Sequence, residues 1–200
     1  MKRISKALMA AALSIGSFAA PAMLAPAHAA VSQASPEAFV ESLAEDGLGV
    51  LRSGSEAQKR SRFRSLLQRH FAVDTIGDRL IRRWRSRIST AQYSSYQRAL
   101  PGFILGTYAD RLSTYSRARV EVVNARQSGS SYLVQTRITN PGSRSVTAIW
   151  YLTRAGGQYQ VYNMRVAGIN LTLNQAQDFD SYIQRNGFDR LVSFMERRGA

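Results

Sequence analysis

Residues that commonly carry nucleophilic or metal-dependent chemistry are scarce in this chain. It has no cysteine and two histidines, His28 and His70. A thiolate nucleophile, a cysteine-ligated zinc ion and a disulfide are therefore excluded. His70 lies among Leu66, Leu67 and Phe71 on the apolar stripe of a predicted helix. That setting favours a packed histidine over a catalytic base.

The carboxylates show no clearer catalytic pattern. Most of them fall at predicted helix starts or beside arginines, which is typical of helix caps and surface ion pairs. They are Asp74, Asp78, Asp110, Asp178, Asp180 and Asp189. The sequence has no glycine-rich phosphate loop and no nucleophile elbow. It therefore predicts neither an enzyme nor a bound metal or cofactor.

Positive charge is a stronger chemical signal. The formal net charge is +14, and arginine supplies nearly all of the basic residues. The densest basic cluster surrounds a tryptophan in the segment RRWRSR and comprises Arg82, Arg83, Arg85 and Arg87. This cluster is suited to a phosphate or to an acidic partner surface. An ordinary solvated surface is the alternative that the pattern leaves open.

The N-terminal segment predicts export. Lys2, Arg3 and Lys6 precede an apolar run over residues 7–20, and residues 27–29 read Ala-His-Ala, with small residues at the positions that signal peptidase requires. We expect residues 1–29 to be a signal peptide that is cleaved after Ala29, so that the mature chain is exported to an extracytoplasmic compartment. There, membrane surfaces, phospholipid headgroups and acidic proteins are better matched to the positive charge than nucleic acid.

Residues 30–200 predict a single domain. Apolar residues recur at helical spacing over residues 35–115, alternate with a period of two over residues 119–167, and return to helical spacing over residues 171–198. Strands in succession, joined by short turns, are typical of an antiparallel meander. The predicted fold is α+β, with a four-stranded curved antiparallel sheet packed against N-terminal and C-terminal helices. We expect a kink or a break at Pro101.

Aromatic side chains are concentrated in the helices before the sheet and in the sheet itself. A curved antiparallel sheet with helices on its concave face forms a cone similar to that of ketosteroid isomerase. The interior of such a cone is either filled by aromatic side chains or open for an apolar ligand. The residue pattern by itself favours the packed core.

The last predicted strand and the turn after it carry the most specific motif. VYNM at Val161–Met164, followed by VAGINL at residues 166–171, resembles the V-Y-D-V … G-V-S-L signature of the MlaC family, also called toluene-tolerance auxiliary proteins. Asn163 stands where the family usually has Asp, and Asn170 where it usually has Ser. Weaker resemblances follow in the family's order at Phe71–Ile76, Trp84-Arg85, Tyr108 with Leu112, Ile149 with Tyr151, and Gly187-Phe188-Asp189 with Leu191.

The resemblance implies a periplasmic phospholipid-binding carrier with no catalytic activity and no cofactor. Such a carrier would shuttle phospholipid between the outer and inner membranes and support outer-membrane lipid asymmetry. The implied partners are an inner-membrane ABC transporter with its MCE-domain subunit and an outer-membrane lipoprotein or porin complex. The acyl chains would enter a pocket between helices and sheet, and the headgroup would stay outside.

The implied pocket would be lined by apolar side chains from both the helices and the sheet. The predicted lining residues are Phe71, Trp84, Phe103, Tyr108, Leu112, Ile138, Ile149, Tyr151, Val161 and Met164. Val161 and Met164 differ in strand parity, so both can point inward only if a bulge, which we expect near Gly168, changes the register.

Other functions are consistent with the same pattern. A cone-shaped domain can be an enzyme that acts on a hydrophobic small molecule, with His70 or Asp110 as the base, or it can bind a hopanoid or sterol-like ligand. A structural module that holds an envelope partner through its basic surface, and has no cavity, is a further hypothesis.

Overall fold

The computed structural model describes residues 30–199, apart from the side chains of residues 109–112, so the predicted signal peptide lies outside the described residues. The helices are α1 Pro36–Arg52, α2 Glu56–His70, α3 Val73–Leu80, α4 Thr90–Ser113, α5 Leu171–Asn186 and α6 Phe188–Gly199, with a 3-10 turn at Arg85–Arg87. The strands are β1 Arg119–Ser128, β2 Ser131–Thr139, β3 Val146–Ala155, β4 Gln158–Val166 and β5 Ile169–Asn170.

Local sequence signals set most helix ends. The Ser35 side chain accepts a hydrogen bond from the Ala38 N–H at 3.1 Å and caps α1, with Pro36 in the first position. Gly187, at a φ of 85°, ends α5. Of the predicted kink or break at Pro101, the break is wrong, because α4 continues through this residue, and the kink stays a prediction. Buried Leu100 and Phe103 on either side hold the helix together despite the missing proline N–H.

The strands form one antiparallel meander in the order β1-β2-β3-β4-β5. The sequence predicted four strands, and the fifth is the two-residue β5, which folds back onto the end of β4. Ala167 and Gly168 make that turn with φ values of 50° and 81°. Two consecutive residues with positive φ suit a tight antiparallel reversal, and this explains the glycine.

The first hydrophobic cluster lies between the sheet and the helices α1 and α2, and we call it the sheet cluster. Its buried members are Val31, Phe39, Val40, Leu43, Val50, Leu66, Val134, Trp150, Leu152, Tyr159 and Val161, with the half-buried Phe63, Phe71, Val122, Ala125, Tyr132 and Met164 packed against them. The concave-face packing that the sequence predicted is therefore made by α1 and α2.

The second hydrophobic cluster lies among α3, α4, α5 and α6, and we call it the helical cluster. Its buried members are Leu80, Ile81, Tyr96, Leu100, Phe103, Phe179, Ile183, Phe188, Leu191, Val192 and Met195. Nothing in the apolar periodicity separated this cluster from the first. Among the helices within residues 30–199, none is both long enough and apolar enough to span a membrane.

Candidate functional site

The inner face of the sheet is a nearly continuous apolar surface. Val134 on β2 lies opposite Trp150 on β3, and Leu152 lies opposite Val161 on β4. All four side chains are buried against α1 and α2. Because residues of alternating parity point to opposite faces of a strand, this surface follows directly from the alternation in the sequence.

A polar pair sits in the middle of this apolar surface. The Trp150 Nε1–H donates a hydrogen bond to the Thr136 Oγ1 at 3.0 Å, and Thr136 is fully buried. A buried polar group without a partner would cost roughly 1–3 kcal/mol. Because the indole N–H and the hydroxyl oxygen are hydrogen-bonded to each other, the pair does not disrupt the apolar packing of the inner face.

A bulge at Tyr162 determines which residues of β4 face inward. The pairing of β3 with β4 passes from Leu152–Val161 to Tyr151–Asn163, so Tyr162 has no direct partner. As a result Val161 and Met164 both pack in the sheet cluster although their spacing is odd. The sequence predicted this condition but placed the bulge near Gly168.

Phe71 joins the helices to the edge of this surface. It follows α2, forms a parallel bridge with Val161, and packs its ring in the sheet cluster. The Ala72 N–H donates to the Val161 carbonyl at 2.9 Å. The end of α2 is thereby fixed to β4 beside the predicted lining residues Val161 and Met164.

The other predicted lining residues of the sheet lie in different places. Ile138 has the inward parity of Val134 and is half-buried where β2 pairs with the first residue of β3. Ile149 and Tyr151 have the opposite parity and lie on the outer face. There Ile149 borders a shallow depression of about 150 Å³. The structure brings Phe71, Val161 and Met164 together, but not these three.

Two predicted lining residues of the helices, Phe103 and Trp84, belong to the helical cluster and not to the sheet cluster. Phe103 is buried in the helical cluster, with its ring centroid 5.2 Å from that of Phe179. Trp84 packs against the same cluster. Tyr108 is half-buried on α4, and the side chain of Leu112 lies outside the described residues. The binding role of all these residues remains a prediction.

His70 lies at the end of α2 in the packed setting that the sequence favoured. Its ring is 6.1 Å from that of Phe39, in an edge-to-face arrangement, and its buried Nδ1 has no hydrogen-bond partner. Burial, followed by the charge of Arg69, lowers the pKa of His70 below 6.5, while Asp46 opposes the shift. His70 is therefore a neutral packed side chain near neutral pH.

The arginine cluster around Trp84 is exposed, and most of it is engaged within the chain. Arg83 pairs with Asp180, which also accepts a hydrogen bond from the Trp84 Nε1–H at 2.6 Å. The guanidinium groups of Arg85 and Arg87 lie over aromatic rings, Tyr93 at 3.8 Å and Trp84 at 5.5 Å from the centroid. Arg82 is exposed beside them. The proposed headgroup or partner role of the cluster remains a prediction.

Sequence reasoning missed a second basic surface. Arg52, Arg117 and Arg119 line an open groove of about 540 Å³ between the end of α1 and the start of β1. Leu51, Ser116 and Ala118 complete its lining. This surface could not be recognised in the sequence, because Arg52 and Arg117 are far apart in the chain and neither lies in a basic run. We call this surface the basic groove.

The family departures at two asparagines are accommodated by local hydrogen bonds. Asn163 Oδ1 accepts from the Met164 N–H at 2.8 Å and from the Thr172 N–H at 3.4 Å. Asn170 caps α5, since its Oδ1 accepts from the Leu173 N–H at 3.0 Å. An amide oxygen is sufficient for both contacts, and neither requires a negative charge.

Asp180 forms one of the expected surface ion pairs, with Arg83, whereas α3 begins after Ala72 without a side-chain cap. Asp78 accepts a hydrogen bond from the Tyr93 hydroxyl at 2.7 Å, and Asp189 accepts one from Gln92 at 2.8 Å. Within the described residues there is no group of three or more His, Cys, Asp or Glu residues that can hold a metal ion. The side chain of Asp110, the alternative base, lies outside the described residues.

Comparison with known proteins gives consistent results. The sequence model of a family described as MlaC protein matches residues 41–197. A Haemophilus influenzae protein named intermembrane phospholipid transport system binding protein MlaC is 18% identical over 179 residues, covering 84% of each chain. A solved structure of a phospholipid-binding protein from Ralstonia solanacearum in complex with a phospholipid superposes with a TM-score of 0.70 at 18% identity, covering 83% of this chain and 97% of that chain.

Proposed function

The chain belongs to the MlaC protein family, and on this ground we propose that it is a phospholipid-binding carrier of the periplasm. It shuttles phospholipid between the outer and inner membranes for an ABC transporter of the Mla type. Its ligand is the phospholipid itself, and it performs no catalysis and uses no cofactor. Family membership is the observation that carries this proposal.

The sheet cluster is where we place the acyl chains. A carrier must shield them from water, because each exposed methylene costs about 0.8 kcal/mol. Between α1, α2 and the sheet lies an apolar interface whose half-buried rim includes Phe71, Tyr132 and Met164. We propose that α1 and α2 separate from the sheet to admit the lipid, which would then contact Phe71, Val161 and Met164, with Ile138 at the end of the inner face.

The helical cluster is a poorer place for a lipid. Its helices α4 and α6 approach so closely that a Cβ on Gly106 would overlap the Arg198 carbonyl oxygen, and a Cβ on Gly199 would lie 2.6 Å from the Gly102 carbonyl carbon. There is no room for an acyl chain between two backbones at this separation. In this proposal Trp84 and Phe103 contribute to the packing of these helices.

The partners in this proposal are an inner-membrane ABC transporter with its MCE-domain subunit, and an outer-membrane lipoprotein or porin complex. The relative from Haemophilus influenzae carries the name of an intermembrane phospholipid transport system, which supports a transport partner. The exposed arginines Arg82, Arg83, Arg85 and Arg87 form a surface suited to an acidic partner protein.

Lipid content tests the proposal directly. The protein is purified after export, extracted with organic solvent, and the extract is analysed by mass spectrometry. In parallel, delipidated protein is incubated with phospholipid vesicles and re-analysed. We expect phospholipid in roughly stoichiometric amounts in both samples. Protein that carries no phospholipid and takes none from vesicles would refute the proposal, and a bound hopanoid would assign the site to that ligand instead.

A further inference from the structure

We infer that the basic groove binds a phosphate group, and that the phosphate is that of a phospholipid headgroup. The groove lies at the end of α1, where Val50 is the last residue that this helix contributes to the sheet cluster and Leu51 is the first residue of the groove lining. Acyl chains in the sheet cluster would therefore have their polar end within reach of this groove. The choice of a lipid as the source of the phosphate rests on the proposed function.

Arg52 is held in position by the chain itself. Its Nε–H donates to the Ser116 carbonyl at 2.9 Å, and its Nη2 donates to the Ala118 carbonyl at 3.3 Å. The guanidinium group carries further N–H donors that these two bonds do not use. A cation fixed in this way binds an anion at a lower entropic cost than a free arginine does.

Arg117 and Arg119 supply charge that the chain does not neutralise. They flank Ala118, whose side chain is fully buried, and both are exposed in the groove. In the part of the chain that the structure describes, neither has a hydrogen bond or an ion pair through its side chain. Arg52 already offsets the negative end of α1. The other two arginines are therefore available to an anion.

The groove has the size and chemistry for a phosphate ester. Its volume of about 540 Å³ exceeds the needs of a bare phosphate ion and leaves room for a glycerol or headgroup moiety. None of the six described lining residues is acidic, and Leu51 provides one apolar contact. Three guanidinium groups around one concavity are the arrangement that phosphate recognition commonly uses.

The arginine side-chain resonances of the purified protein give a direct test by NMR. Delipidated, isotope-labelled protein is titrated with glycerol 3-phosphate, with inorganic phosphate and with a short-chain soluble phosphatidylglycerol. We expect the glycerol phosphate and the lipid to shift the Nε–H signals of Arg52, Arg117 and Arg119. Tighter binding of inorganic phosphate than of either ester would overturn the assignment to a headgroup, and no shift with any ligand would overturn the site.

A matched pair of double variants separates local recognition from net charge. Arg117→Gln with Arg119→Gln should weaken glycerol phosphate binding by about tenfold or more, because charge-assisted hydrogen bonds are lost. Arg185→Gln with Arg190→Gln removes the same charge from α5 and α6. Asp189 contacts Gln92 near the start of α4, whereas Ser116 of the groove follows the end of α4. Arg190, which is next to Asp189, therefore lies near the opposite end of α4 from the groove. Equal weakening in both double variants would contradict the inference.

Lipid content of the same preparations distinguishes this inference from the proposed function. If the function is right and the groove inference wrong, the Arg117→Gln/Arg119→Gln protein retains as much phospholipid as the wild type, and short-chain lipid shifts none of the groove arginines. If the groove inference is right and the function wrong, glycerol phosphate shifts those arginines in protein that retains no phospholipid.

Discussion

Single buried polar residues of the sheet show how the helix–sheet interface and the start of α5 accommodate hydrogen-bonding groups. Thr136 and Trp150 satisfy each other, and Asn163, 9% exposed, accepts two backbone N–H groups. A carboxylate at position 163 would be costly to bury without a paired cation. The amide oxygen accepts both N–H groups without carrying a charge.

His70 is the titrating residue of this interface. Because its pKa is lowered in the fold, the folded protein resists protonation more than the unfolded chain does. Its contribution to stability is therefore fully present above the unfolded value of 6.5 and is lost as the pH falls through the lower folded pKa. The charged groups that act on it are Arg69, which reinforces the shift, and Asp46, which opposes it.

The histidine makes a specific prediction about acid stability. His70→Gln should reduce the loss of unfolding free energy between about pH 7.5 and about pH 5, since the variant has no imidazole to protonate. Urea unfolding of wild type and variant at both pH values measures the difference. An identical pH dependence in the two proteins would show that His70 does not titrate between these values.

At the scale of elements, close backbone approach and strand bulges decide the geometry. The α4–α6 contact depends on the glycines Gly102, Gly106 and Gly199, which allow the two backbones to meet. In β4, the bulge at Tyr162 turns both Val161 and Met164 toward α1 and α2. The first feature leaves no space between the backbones of α4 and α6, and the second adds apolar surface to the side of the sheet that faces α1 and α2.

The glycine contact predicts a site-specific loss of stability. Gly106→Ala should destabilise the protein by roughly 1–3 kcal/mol, because the new Cβ forces α4 and α6 apart. Gly47→Ala is the matched control, because a methyl group added to this helical glycine would meet no other atom within 4 Å. It should be stabilising by up to about 1 kcal/mol through helix propensity. Chemical denaturation measures both, and equal effects would argue against the close α4–α6 contact.

At the scale of the whole molecule, the core is divided into two clusters, and the proposed ligand site lies in one of them. In the helical cluster, the backbones of α4 and α6 are in close contact. The sheet cluster is bounded by half-buried aromatic and aliphatic side chains and is covered by α1 and α2. Binding energy in a carrier should therefore appear mainly as stabilisation of the sheet cluster.

Delipidation tests whether phospholipid binds in the sheet cluster. Removing bound phospholipid should lower the melting temperature, and adding lipid at one hundred times its Kd should restore about 2.7 kcal/mol. Hydrogen exchange should slow on lipid addition in α1, α2 and the inner strands, while α4 and α6 remain unchanged. Protection confined to α4 and α6 would place the ligand in the helical cluster instead.

Much of the fold could be predicted from local signals in the sequence. Period-two alternation located the meander, and helical spacing located the helices on either side of it. The caps at Ser35 and Asn170 and the helix end at Gly187 likewise depend only on nearby residues. These signals are local, because caps, turns and alternation depend on a few neighbouring residues. The family motifs in β4 and its turn identified the family from short segments in the same way.

Which apolar residues share a surface depends on tertiary packing and could not be predicted in this way. The sequence grouped Trp84, Phe103, Ile149 and Tyr151 with Phe71 and Val161 because all are apolar and regularly spaced, yet they lie in two clusters and on two faces of the sheet. Nothing in the sequence pattern indicates that Arg52 lies beside Arg117 and Arg119 in the basic groove. Such groupings depend on crossing helices, a bulge and backbone contacts between residues distant in the chain, and periodicity carries no information about these.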